Sequence, residues 1–151
     1  MNQLLQTKGK LLGVDFGDKR TGLAVCDPTR IIATAIGVVS PGGIEKTADE
    51  VAKIARERGV CALVVGLPVN MDGSEGFRAA RYRKFAWLLE ERLGEGVPVI
   101  LFDERMTTMT AARFLNETNT RGQKRKDVID ALSAQIILQN FIDKLKNMGD
   151  K

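Results

Sequence analysis

Apolar residues run through this chain in short blocks, and their spacing changes near residue 44. Residues 10–16 (KLLGVDF) are short, apolar and bounded by glycines, which predicts a strand. Gly17, Asp18, Lys19 and Arg20 are turn residues, and residues 21–26 (TGLAVC) form a second strand, so the two make a hairpin. After a turn at Asp27 and Pro28, residues 31–39 are β-branched and long enough for a third strand. Strands joined by turns this tight are antiparallel neighbours. Beyond Ser40-Pro41-Gly42-Gly43 the period becomes helical, with Ile44, Thr47, Ala48, Val51 and Ala55 on one face until Gly59 ends the helix. Residues 60–65 form an unbroken apolar strand, and residues 66–76 a loop rich in Gly, Pro, Asn and Asp. Ser74 and Glu75 start a helix with the stripe Tyr82, Phe85, Leu89 and Leu93, stopped by Gly94 and Gly96. Residues 97–102 predict a fifth strand. Thr107 or Thr108 caps a helix to about Leu115, residues 119–126 are polar and basic, and Asp127 opens a last helix to about Leu145.

The two late strands are apolar on both faces, as parallel strands covered by helices are. The expected class is therefore α/β: a mixed five-stranded sheet, three antiparallel strands followed by two parallel ones, with helices on both faces. One domain is expected over residues 1–151, with its core at about 9–145 and frayed ends.

Composition changes the picture mainly through what is missing. The chain has 151 residues, 23 basic and 19 acidic, for a net charge of +4, and 44% are hydrophobic. That excludes a disordered chain, a collagen-like fibre and a disulfide-stapled miniprotein. There is no histidine, which removes Ser-His and Cys-His catalysis and every imidazole-built zinc site. Cys26 and Cys61 are far apart and form no C-x-x-C, so they read as small core residues rather than ligands of zinc or an iron–sulfur cluster. A bound metal would have to be held by carboxylates, which suits hard ions such as Mg2+ or Mn2+. No apolar stretch is long enough to span a bilayer, and the run after Lys10 ends at Asp15 without a cleavage site. The expected compartment is the cytoplasm, with no membrane partner.

Three acidic positions stand out. Asp15 ends an apolar strand, Asp103 and Glu104 end the fifth strand, and Asp130 lies near the start of the last helix. Carboxyl ends of strands are where open α/β sheets build their sites. Each also has a plainer reading. Asp15 can initiate a turn, Asp103 and Glu104 can leave the strand into solvent or pair with Arg105, and Asp127 can cap the last helix. Asp130 resists such a reading, because it shares a helical face with Ala134, Ile137 and Phe141. A carboxylate on a buried face needs a partner or a metal, and a first-turn position lets the helix dipole offset part of its cost. Carboxylates that converge repel each other, and a divalent cation resolves the repulsion. Such an ion activates water and stabilises the departing oxygen in phosphodiester cleavage.

From Arg105 to Lys126 six basic residues face one acid, Glu117. The RGQKRK segment at the end of that run, with Arg121, Lys124, Arg125 and Lys126, stands just before Asp127, which favours phosphate-backbone binding over a merely solvated loop. Lys19 and Arg20 follow Asp15. Arg78, Arg81, Arg83 and Lys84 flank the glycine-rich loop and read as ordinary surface charge.

Four motifs in order carry a resemblance: LLGVDFGDKRTGLAVCD, GLPVNMDGSEG followed by RKF, DERMTT, and KRKDVIDALSAQIILQ. Together they resemble the YqgF family over about Leu11 to Ile142. Members of that RuvX-like family are described as Holliday junction resolvases and as nucleases of the small-subunit ribosomal RNA precursor. The resemblance implies an RNase H-like fold and a divalent-metal-dependent endonuclease of structured RNA or branched DNA. It implies an acidic site of Asp15, Glu104 and Asp130, with Asp103 the substitute for Glu104. Asp127 would be a fourth metal ligand by similarity to the D-x-x-D pair of RuvC-type resolvases. Lys19, Arg20, Arg105, Arg121, Lys124, Arg125 and Lys126 would grip phosphates. Symmetric junction cleavage would need a homodimer. Two other classes are kept: a non-catalytic RNA-binding factor of ribosome assembly, and a fragment of an actin-like ATPase, whose phosphate-binding hairpin resembles this D-x-G turn but which needs two such domains.

Overall fold

The computed structural model describes residues 9–68, 76, 78–104 and 122–149, and the side chains at 104, 122–127 and 148–149 lie outside that description. Strands β1 (Leu11–Asp15), β2 (Thr21–Cys26) and β3 (Ala33–Val39) are followed by helix α1 (Ile44–Arg58), strand β4 (Ala62–Pro68), helix α2 (Arg78–Leu93), strand β5 (Val99–Glu104) and helix α3 (Gly122–Gly149). The sheet order is β3-β2-β1-β4-β5. β1, β2 and β3 pair antiparallel, whereas β4 runs parallel to β1, and β5 to β4. This is the expected mixed five-stranded sheet.

Alternation along β1 divides the core. Leu12, Val14 and Phe16 pack with α1 and α2 residues such as Val51, Phe85 and Leu89, while Leu11 packs with Ala134, Ile137, Leu138 and Phe141 of α3. β4 divides in the same way: Leu63 and Val65 face α1 and α2, and Ala62 and Val64 face α3. Burial on both sides explains why that strand is apolar without interruption. α1 ends where Gly59 takes the left-handed conformation (φ 63°) and its amide returns to the last turn. Cys26 is buried and Cys61 half-buried, both free thiols.

β3 is one of the two edge strands, and α3 covers outward backbone groups along it. The amides of Ala33 and Ala35 donate to the side-chain carbonyls of Gln139 and Gln135, and Gln139 donates in turn to the carbonyl of Ile31. That leaves less unpaired edge for another chain to join.

The last helix differs from expectation. α3 begins at Gly122, not Asp127, so residues 124–126 lie in its first turns and Asp127 is not its cap. Asp130 is then more than two turns in, where the helix dipole no longer acts on it. The start of α2 at Arg78 is later than Ser74, which lies outside the described residues, as does the helix expected from Thr107. No described helix is long and apolar enough to cross a membrane.

Candidate catalytic site

Asp15 is the last residue of β1, on the face that α3 covers, and its cross-strand partner is Gly22. A Cβ at Gly22 would stand 1.9 Å from the backbone oxygen of Asp130. Without one, the α3 backbone settles onto β2 directly opposite Asp15. Two more glycines extend the same furrow: a Cβ on Gly13 would meet Leu138 at 2.7 Å, and one on Gly66 would meet Ile137 at 2.5 Å. Small residues on β2, β1 and β4 thus set the height of α3 above the sheet and bring Asp130 to Asp15 from far along the chain.

The electrostatics follow from this approach. Burial, and then the charge of Asp130, push the Asp15 carboxyl up to about 7, and Arg78 opposes them. Asp130 accepts a 2.8 Å hydrogen bond from Arg20 Nε, with the two side chains 22% and 25% exposed. The partner that a carboxylate on a buried face requires is therefore a guanidinium brought from the β1–β2 turn. Arg20, expected on phosphates, holds Asp130 here, while Lys19 is exposed on the same turn.

β5 ends at the same end of the sheet as β1, with β4 between them. Ile100 and Phe102 pack against the cluster under α3, and Val99 and Leu101 against the opposite one. Position 104 has the parity of Ile100 and Phe102, and position 103 that of Val99 and Leu101. Asp103 is exposed and pairs with Leu67, and the backbone of Glu104 pairs with Pro68. The Glu104 side chain lies outside the described residues, as do Arg105, Arg121 and the side chains of Lys124, Arg125, Lys126 and Asp127. Among the described residues no three acidic or thiol side chains converge.

The donors that do meet are carboxylate oxygens, in a chain without histidine. Burial and the neighbouring charge of Asp130 raise the Asp15 carboxyl to about 7, so the pair carries a charge cost that a cation would relieve. Oxygen donors of this kind fit a hard divalent cation.

Two contributors lay outside the sequence reading. Gly22 could have been noticed as a glycine inside a strand, a signal of close backbone approach. Arg78 reads as surface charge along α2, and nothing in its spacing points to Asp15, 63 positions earlier.

A family model described as RuvX, Holliday junction resolvase, matches residues 9–144. A candidate pre-16S rRNA nuclease of Rhodospirillum centenum is 39% identical over 149 residues, covering 97% of this chain and 79% of its own. Another from Phenylobacterium zucineum is 40% identical over 139 residues, covering 91% of this chain and 88% of its own. Among solved structures, Thermus thermophilus RuvC in complex with a Holliday junction superposes with a TM-score of 0.58 at 16% identity, covering 92% of this chain and 96% of that one. This last likeness is one of fold.

Proposed function

The chain belongs to the RuvX family of Holliday junction resolvases, and from that membership we propose that it is a divalent-metal-dependent endonuclease of structured nucleic acid. Its substrate is the precursor of 16S ribosomal RNA or a branched DNA junction. The carrying observation is the meeting of Asp15 and Asp130 across Gly22, at the carboxyl end of the central strand.

Asp15, Asp130 and Glu104 would hold Mg2+ or Mn2+, with Asp127 as a fourth ligand. When bound, the ion supplies an activated water and charge neutralisation at the scissile phosphate. The residues prepare that site. Asp15, drawn up to about 7, is costly to ionise without a cation. Arg20 donates a 2.8 Å hydrogen bond to Asp130 and so fixes its carboxylate beside the β1–β2 turn. Lys19, Arg105 and the Arg121–Lys126 segment would supply phosphate contacts. Residues 124–126 stand in the first turns of α3, where the helix dipole adds to their positive charge.

Cleavage of a four-way DNA junction and of precursor ribosomal RNA, side by side with and without Mg2+, tests the reading. Magnesium-dependent cuts in one of the two are expected. Tight binding with no cleavage of either under any divalent ion would instead make it an RNA- or DNA-binding factor.

The parity of β5 favours Glu104 over Asp103 as the third acid. Glu104→Gln should reduce cleavage by at least about 100-fold and weaken Mn2+ binding, whereas Asp103→Asn should leave both within a few-fold. Kinetics and Mn2+ titration of the two variants under one condition check this. The reverse ranking would move the third acid to Asp103.

A further inference from the structure

A cavity of about 290 Å³ opens on the other side of Asp15, lined by Phe16, Gly17, Asp18, Arg78, Arg81 and Tyr82. It begins at the residue after Asp15 and lies at the α2 side of the sheet, away from Asp130. Its floor is aromatic. Phe16 stacks on Phe85 with ring centroids 4.3 Å apart, and Tyr82 meets Phe16 edge to face at 5.3 Å. Its rim is cationic. Arg78 hydrogen-bonds Tyr82, and its charge bears on both Tyr82 and Asp15. Arg81 pairs with Asp18 on the far rim.

An aromatic floor beside guanidinium groups is the chemistry that receives a nucleobase with its phosphate. The volume is at the lower end for ligand sites, enough for one nucleotide rather than a stacked run. A base inside a duplex cannot reach such a floor unless it is extruded, which costs little where it is already unpaired. Resting on the nuclease reading above, we propose that this cavity receives one unpaired nucleotide next to the scissile phosphate, its base against the half-buried ring of Tyr82, which Phe16 supports from below, and its phosphate on Arg78. The enzyme would then favour substrates with an unpaired nucleotide beside the cut, as branch points and loops provide.

The test uses the full chain in EDTA, with a branched oligonucleotide carrying unpaired 2-aminopurine at the branch, made once in ribose and once in deoxyribose form. Wild type should quench the fluorescence in at least one sugar series. Tyr82→Leu, which retains apolar volume, should abolish the quench and weaken binding about 10-fold. Arg78→Gln, an exposed position, should lower the slope of log affinity against log salt by roughly 0.7–0.9, the loss of one phosphate contact. Quenching by ribose oligonucleotides alone identifies RNA as the source of the nucleotide, and quenching by the deoxyribose series alone identifies DNA. If wild type binds and, with Mg2+, cuts these oligonucleotides while both variants keep quench and slope, the subsite is overturned and the nuclease reading stands. If wild type binds neither series, the nuclease reading fails and the subsite with it.

Discussion

Asp15→Asn is expected to abolish cleavage while making the metal-free protein more stable at neutral pH. The substitution retains shape and removes the charge that would hold a cation. Loss of activity by several orders of magnitude is expected, since a cation at this position carries both water activation and charge neutralisation. The stability change has the opposite sign to that of an ordinary core lesion. In the unfolded chain Asp15 ionises near 3.8, and in the folded protein near 7. Between these values the folded state retains a proton that the unfolded state has lost, so wild-type stability falls as pH rises through that window and is flat above it. The displacement is worth on the order of 2–4 kcal/mol, or roughly 5–15 °C in melting temperature for a chain of this size. Asn has no such dependence. In EDTA the variant and wild type should melt together near pH 4 and separate progressively up to about pH 7, the variant higher. Mn2+ at 100 times its dissociation constant should restore about 2.7 kcal/mol to wild type and nothing to the variant. A folded Asp15→Asn protein that still cleaves would remove Asp15 from the chemistry, and parallel melting curves across the pH range would show that its carboxyl is not held near 7.

The sequence made the sheet legible because each strand carries its own signal. The hairpin of β1 and β2 follows from four turn residues, and the two-sided burial of β4 shows as an unbroken apolar run. The start of α3 was harder to read. Asp127 looks like a cap, and a run of Lys and Arg looks like solvated loop, yet the helix begins at Gly122. Propensity within six polar residues says little when an amphipathic helix downstream already nucleates the element. That Asp130 needs a partner was readable, because a carboxylate among Ala134, Ile137 and Phe141 breaks a local rule. Its partner was not, because Arg20 lies 110 positions away. Nothing local tells a guanidinium that will cross the sheet from one that stays in water. Periodicity alone could not choose between Asp103 and Glu104 for a related reason. Both faces of β5 are apolar, so its parity gained meaning only once α3 was known to cover the face of Ile100 and Phe102.

Gly22→Ala should disable the site without touching an acidic residue. The new methyl carbon would stand 1.9 Å from the carbonyl oxygen and 2.4 Å from the carbonyl carbon of Asp130, both backbone atoms of a helix packed along its length. No rotamer relieves that contact. Either β2 recedes or α3 lifts, and lifting α3 moves Asp130 away from Asp15 and strains its bond to Arg20. Overpacking of this kind costs about 1–3 kcal/mol, and a displacement near 1 Å at a reacting centre costs on the order of 100-fold in rate. Gly66→Ala is the matched comparison. Its Cβ would meet the Cδ1 of Ile137 at 2.5 Å and its Cγ1 at 3.1 Å, but these are atoms of a side chain, which can repack where a helix backbone cannot. Gly66→Ala should therefore cost less than about 1.5 kcal/mol and leave most of the cleavage rate. Thermal melts and single-turnover cleavage of both variants decide between two accounts of the furrow. A large loss at Gly22 and a small one at Gly66 means that the glycine opposite Asp15 sets the distance between the two carboxylates. Equal and mild losses would mean that α3 rides freely over β2, with Asp130 positioned by its side-chain partners such as Arg20 rather than by this packing.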